Sequence, residues 1–108
     1  MTVFYIHNEY DRNEIMKIKI NVVHVGPPGE QEQRVRIQKE RIVSTSAGMR
    51  FEDCESIVLT MQRYEQFRTI TQRWKYWNES KREEALQRLE DNSLSAFIGS
   101  LRTTWRQN

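Results

Sequence analysis

Polar and apolar residues alternate through the first half of the chain, and this alternation predicts β-strands. In "EIMKIKINVVHV" (14–25), one parity is apolar and comprises Met16, Ile18, Ile20 and Val22. The other parity carries Lys17, Lys19 and Asn21. Because successive side chains of a strand point to opposite faces, this segment predicts one buried and one solvated sheet face.

A second alternating segment completes a hairpin. In "RVRIQKERIV" (34–43), Val35 and Ile37 alternate with a polar set made of Arg34, Arg36 and Gln38. The intervening "GPPGEQEQ" contains two prolines and two glycines, which end a strand and favour a turn. The β-branched and aromatic run "TVFYIHNEY" (2–10) predicts a third strand beside this hairpin. Ile42 has the opposite parity from Ile37, so we expect a bulge or bend near Lys39.

The second half of the chain has helical spacing. Apolar residues recur every three or four positions from Ile57 to Trp77, which predicts a long helix within residues 51–77 with Asp53 as its N-cap. Ser80 and Glu83 have capping-box spacing and predict the start of a short second helix. Ser93 is the expected cap of a third helix, whose apolar stripe comprises Leu94, Phe97, Ile98, Leu101 and Trp105.

These elements predict an α+β fold in a single domain over residues 1–108. An antiparallel N-terminal sheet of about three strands would pack on one long and two shorter C-terminal helices. A chain of 108 residues has room for one hydrophobic core. It contains one cysteine and no long apolar run, and it begins without a signal-peptide pattern, so we expect a soluble cytoplasmic protein.

Catalytic chemistry has little support in the sequence. The two histidines, His7 and His24, have no second ligand at metal-binding spacing, and no phosphate-binding glycine motif occurs. The single thiol, Cys54, lies among Glu52, Asp53 and Glu55, whose negative charge disfavours a thiolate. We therefore expect a non-enzymatic protein without a catalytic, metal or cofactor site.

The stretch "RWKYW" is the first candidate contact surface. Trp74, Tyr76 and Trp77 point in three directions on a helix, and one core cannot easily take all of them. Because aromatic and arginine side chains anchor protein interfaces, we expect Arg73, Trp74, Tyr76 and Trp77 to bind a protein partner. The leading hypothesis is thus a small interaction or regulatory protein, acting either as a single chain or as a homo-oligomer.

Two alternatives remain open on the sequence. The polar face of the hairpin carries Lys17, Lys19, Arg34 and Arg36, which could meet nucleic-acid phosphates, with Tyr5 or Tyr10 stacking on bases. Against this, 17 Lys and Arg nearly cancel 15 Asp and Glu, which leaves a net charge of only +2. A virus- or mobile-element-encoded inhibitor of a host protein would have the same compact and non-catalytic character.

Overall fold

The protein folds as an antiparallel sheet covered on one face by helices. The computed structural model describes the backbone of residues 1–101 and 105–107, and the side chains of residues 1–52 and 55–101. Its strands are β1 (Thr2–Asn8), β2 (Glu14–Val25), β3 (Glu32–Thr45), β4 (Gly48–Leu59) and β5 (Trp105–Gln107). Their order across the sheet is β4-β3-β2-β1-β5, and every neighbouring pair is antiparallel. The predicted α+β class is confirmed.

Three helices follow the fourth strand. They are α1 (Met61–Arg73), α2 (Glu79–Gln87) and α3 (Asn92–Gly99), and a 3₁₀ turn (Trp74–Tyr76) extends α1. One long and two shorter helices were predicted, and this arrangement is confirmed. None of the described helices is long and apolar enough to span a membrane.

The sheet has five described strands instead of about three, because two segments predicted as helix are strands. The prediction placed the start of the long helix near Asp53, but residues 48–59 pair along β3 as β4. There Leu59 is fully buried while Val58 is exposed, which is the period of a strand. The spacing Ile57–Met61–Tyr64 imitates a helix because it runs across the junction between β4 and α1.

The helix caps also differ from the predicted ones. Helix α1 begins after Thr60, whose hydroxyl accepts a hydrogen bond from the backbone N–H of Arg63 at 3.2 Å. Asn78, and not Ser80, caps α2 by accepting from the N–H of Lys81 at 2.9 Å. Asp91 replaces the predicted cap Ser93 for α3.

The predicted stripe of α3 is also too long. The helix ends at Gly99, with Leu101 buried beyond it. Trp105 belongs to β5, where its Cα is the partner of that of Asn8 on β1.

The core lies between the sheet and the helices. The alternation predicted for β2 and β3 is confirmed, since Met16, Ile18, Val35 and Ile37 are all buried. Opposite them pack the buried side chains of α1, α3 and the segment after α3, namely Phe67, Ile70, Leu94, Phe97, Ile98 and Leu101. Val22 was assigned to the same face but is exposed, because it lies near the tip of the hairpin.

A register irregularity occurs where a bulge was predicted, near Lys39. On β3, Lys39 is the partner of Glu55 and Arg41 is the partner of Glu52, so the extra residue belongs to β4. The ladder between β2 and β3 continues without interruption through the same point. Ile42 therefore lies on the opposite face of the sheet from Ile37. The prediction of a bend near Lys39 did not assign Ile42 to that face.

The two proposed caps of α2 can be separated by paired substitutions. Asn78→Ala should lower the free energy of unfolding by about 1 kcal/mol, because it leaves a helix N–H without its acceptor. Ser80→Ala should change it by less than about 0.5 kcal/mol. Urea denaturation followed by circular dichroism measures both, and an equal loss for Ser80→Ala would contradict the observed cap.

Candidate functional site

The face of the sheet opposite the helices is the first candidate site, and we call it the open face. Cross-strand partners and strand alternation place five rows of side chains on it where β2 and β3 run side by side. From the β2–β3 turn downwards, the rows are Val23–Arg34, Asn21–Arg36–Val58, Val3–Lys19–Gln38–Ser56, Tyr5–Lys17–Glu40 and His7–Ile15–Ile42–Phe51. No described element packs over them.

The four predicted hairpin cations lie together on the open face. Lys17 and Lys19 follow each other at every second position of β2, and Arg34 and Arg36 do so on β3. Arg34 forms an ion pair with Glu32 at 2.9 Å. Lys17 has Glu40 as its cross-strand neighbour. Within the described part of the chain, Lys19 and Arg36 form no ion pair.

An apolar band crosses the lower end of the same face. Ile15 and Ile42 are direct cross-strand partners, and Phe51 continues the row on β4. Phe51 is 55% exposed and the adjacent Met49 is 67% exposed. This band was not predicted, because residues 51–59 were assigned to the long helix on the spacing of Ile57 with Met61 and Tyr64. The opposite parities of Ile42 and Ile37 were the available signal.

The predicted contact cluster at "RWKYW" is split between core and surface. Trp74 and Trp77 are partly buried and pack against the core, whereas Tyr76 is 76% exposed. Arg73 is exposed at the end of α1. The structure thus leaves Arg73 and Tyr76 on the surface and turns the two tryptophans inward.

Cationic side chains cover the rings of this cluster. The guanidinium of Arg82 lies 5.1 Å from the ring centre of Trp74, and its Nε donates to the Trp74 carbonyl at 2.9 Å. Lys81 lies 5.8 Å from the ring centre of Trp77. These cation–π contacts tie α2 to the end of α1 and hold the tryptophans in place.

The two tyrosines proposed to stack on bases lie apart. Tyr5 is on the open face beside Lys17, and it is half exposed. Tyr10 lies in the β1–β2 loop, where the side chain of Asn8 accepts a hydrogen bond from its backbone N–H at 2.9 Å. Of the two, only Tyr5 shares a surface with the hairpin cations.

A groove of about 550 Å³ separates α1 from α2. Its floor contains Ile70 and Leu89, and its rim carries Glu65 and Arg88. It is shallow and open to solvent, and it holds none of the residues that the sequence analysis singled out.

The described side chains contain no group of three His, Cys, Asp or Glu residues placed to bind a metal ion. His7 lies on the open face and His24 near the tip of the hairpin. Cys54 was placed at a helix start, but it lies in β4 and its side chain is outside the described residues.

Comparison with known protein families, curated proteins and solved structures found no match to this chain. The geometry and charge of the described surfaces are therefore the basis for a functional proposal.

The division of the "RWKYW" cluster predicts unequal effects on stability. Trp77→Ala should lower the free energy of unfolding by about 2 kcal/mol, since it removes a half-buried ring from the core edge. Tyr76→Ala should change it by less than about 0.5 kcal/mol, because the ring is mostly in solvent. Thermal denaturation of the two variants tests this, and a comparable loss for Tyr76→Ala would show that its ring is part of the core.

Proposed function

We propose that this chain is a non-catalytic interaction protein whose open face binds a protein partner. The observation that carries the proposal is the uncovered apolar surface spread over all four long strands. It includes Val3 and Tyr5 on β1, Ile15 and Val23 on β2, Ile42 on β3, and Met49, Phe51 and Val58 on β4. Its continuous part is the row of Ile15, Ile42 and Phe51, and contiguous apolar surface of this kind is typical of interaction sites.

The distribution of charge supports a protein partner. Burial of the aliphatic and aromatic groups against a partner is favourable because it removes apolar surface from water. The neighbouring cations steer the diffusional encounter with that partner. Arg36 and Lys19 lie beside apolar residues, Val58 and Val3 respectively. A mixed surface of this kind resembles the anatomy of protein interfaces, which combine apolar contacts with polar groups at the rim.

A matched pair of exposed apolar residues tests the proposal. A tagged chain is used to isolate bound proteins from extracts of the cells that make it. The yield of a partner is compared between the variant Phe51→Ser and the control variant Met61→Ser on α1. Both side chains are about half exposed, but Met61 lies on the helical side. We expect Phe51→Ser to lower the yield of a stoichiometric partner more than tenfold, and Met61→Ser to leave it unchanged. Equal yields from both variants would reject the open face as the binding surface.

The "RWKYW" corner is a second proposed contact for a protein partner. Its support is the exposure of Arg73 and Tyr76, which flank Trp74 in the chain, while Trp74 and Trp77 pack against the core. Tyr76→Ala in the same isolation separates the two surfaces. A partner that is lost with Tyr76→Ala and kept with Phe51→Ser would assign the contact to this corner.

Nucleic-acid binding is the alternative function, and one specific observation favours it. Lys17, Lys19, Arg34 and Arg36 share one face, with Tyr5 beside them. Fluorescence anisotropy with labelled single- and double-stranded oligonucleotides at roughly 50 and 200 mM salt tests it. If the alternative holds, binding weakens steeply with salt and disappears in the double variant Lys19→Glu, Arg36→Glu. Absence of binding at the lower salt would exclude it.

A further inference from the structure

The open face is complementary to itself. We consider a two-fold axis that runs parallel to the strands and lies above the open face, over the line between β2 and β3. Rotation about this axis places β2 of one copy over β3 of a second copy. From this geometry we infer that the partner of the open face is a second copy of this chain, packed face to face. The inference rests on the proposed function, since it names the partner for the same surface.

Charges match across such an axis. Lys17 and Glu40 are cross-strand neighbours in one row, so the rotation places Lys17 of each copy over Glu40 of the other. In the next rows, Lys19 lies over Gln38, and Asn21 lies over Arg36. None of these rows brings two groups of like charge together.

Apolar groups match in the same arrangement. The rotation places Ile15 of each copy over Ile42 of the other, and His7 over Phe51. Val23 meets the stem of Arg34, whose guanidinium is held to one side by Glu32. The two contacts between Ile15 and Ile42 then form an apolar centre in this row, with the ring of Phe51 over that of His7 on each side.

The size of the face suits a dimer. The five rows hold sixteen side-chain positions, and at about 4.8 by 6.8 Å each they give a footprint of about 520 Å² per copy. The total of about 1,000 Å² is close to the smallest area of a specific protein interface. Two sheets packed in this way have nearly aligned strands about 10 Å apart, as in β-sandwiches.

Other occupants fit the same face less well. A polyanion would meet Glu40 in the middle of the face and Glu32 at its upper end. An acidic protein surface would meet the same two carboxylates. A second copy turns Glu40 from a repulsive group into one half of a pair that occurs twice.

The first part of the test is the mass in solution. Sedimentation equilibrium of the full chain at about 100 µM should give about twice the 13.1 kDa of one chain, because each molecule then has a second copy bound to its open face. A mass of one chain at that concentration would overturn the inference.

The second part uses charge reversal on the two sides of the proposed pair. K17E alone places two carboxylates over two carboxylates, and E40K alone places two ammonium groups over two ammonium groups. Each variant should raise the dissociation constant of its own dimer by at least about tenfold. An equal mixture should associate again, because the carboxylates of the K17E copy then lie over the ammonium groups of the E40K copy.

The mixture separates contacts between chains from contacts within one chain. Inside each variant the neighbours at positions 17 and 40 keep like charges, so recovery on mixing can come only from a contact between copies. Recovery also shows that both variants are folded. Glu83→Lys on α2 is the control, because Glu83 is exposed on the helical side and should leave the dimer unchanged.

The outcomes also distinguish the two proposals. A monomeric chain whose partner is still lost with Phe51→Ser would overturn the dimer and keep the open face as a site for a different protein. A dimer that is unaffected by K17E and E40K would place the contact elsewhere and overturn the inference. Loss of association in both variants without recovery on mixing would also contradict it.

Discussion

The structure depends on one uninterrupted ladder, the antiparallel pairing of β2 with β3. It runs from Glu14 opposite Val43 to Val25 opposite Glu32 without a register shift. Because a slip of one residue would turn every side chain to the other face, this ladder decides which residues enter the core. The buried set on one face and the cations on the other both follow from it.

The ladder also explains a buried cation. Lys39 has the parity of Val35 and Ile37, so the strand carries it to the helical face, where it is 5% exposed. Its ammonium group pairs with Glu55 at 2.8 Å, donates to the hydroxyl of Ser100, and lies 4.4 Å from the ring centre of Phe97. These partners offset the cost of removing the charge from water. Lys39 thereby links β3 to β4 and to the end of α3.

A second polar group marks the lower end of the helical face. The carboxylate of Glu14 is buried, accepts a hydrogen bond from the side chain of Asn8 at 2.9 Å and pairs with Arg41. Three neighbouring strands are joined by these contacts. The helical face is therefore closed by apolar packing and by two groups of paired charges, whereas none of the described elements covers the open face.

Much of this fold could be predicted from local pattern. The alternation on β2 and β3 and the turn residues between them identified the hairpin and its polar face. The strand β4 could not be predicted in the same way, because Ile57 also fits a helical spacing with Met61 and Tyr64. Its identity depends on pairing with β3, a contact between distant parts of the chain. Strand β5 depends likewise on β1.

For the candidate surfaces too, features set by local pattern could be predicted, whereas features set by contacts between distant segments could not. The cations of the hairpin were assigned to one face correctly, since strand parity is a local property. The burial of Trp74 and Trp77 could not be predicted, because it is set by α2 and by the side chains of Arg82 and Lys81. The apolar band through Ile42 and Phe51 became recognisable only when β4 was known to be a strand.

If two copies of the chain associate through the open face, side chains on that face lose contact with water when the dimer forms. Hydroxyl-radical footprinting of the full chain at low and high concentration tests this, with Tyr5 and Phe51 as reporters and Tyr76 as the internal reference. Oxidation of Tyr5 and Phe51 should fall as concentration rises, while oxidation of Tyr76 stays constant. Unchanged oxidation of all three residues across that range would contradict association of two copies through this face.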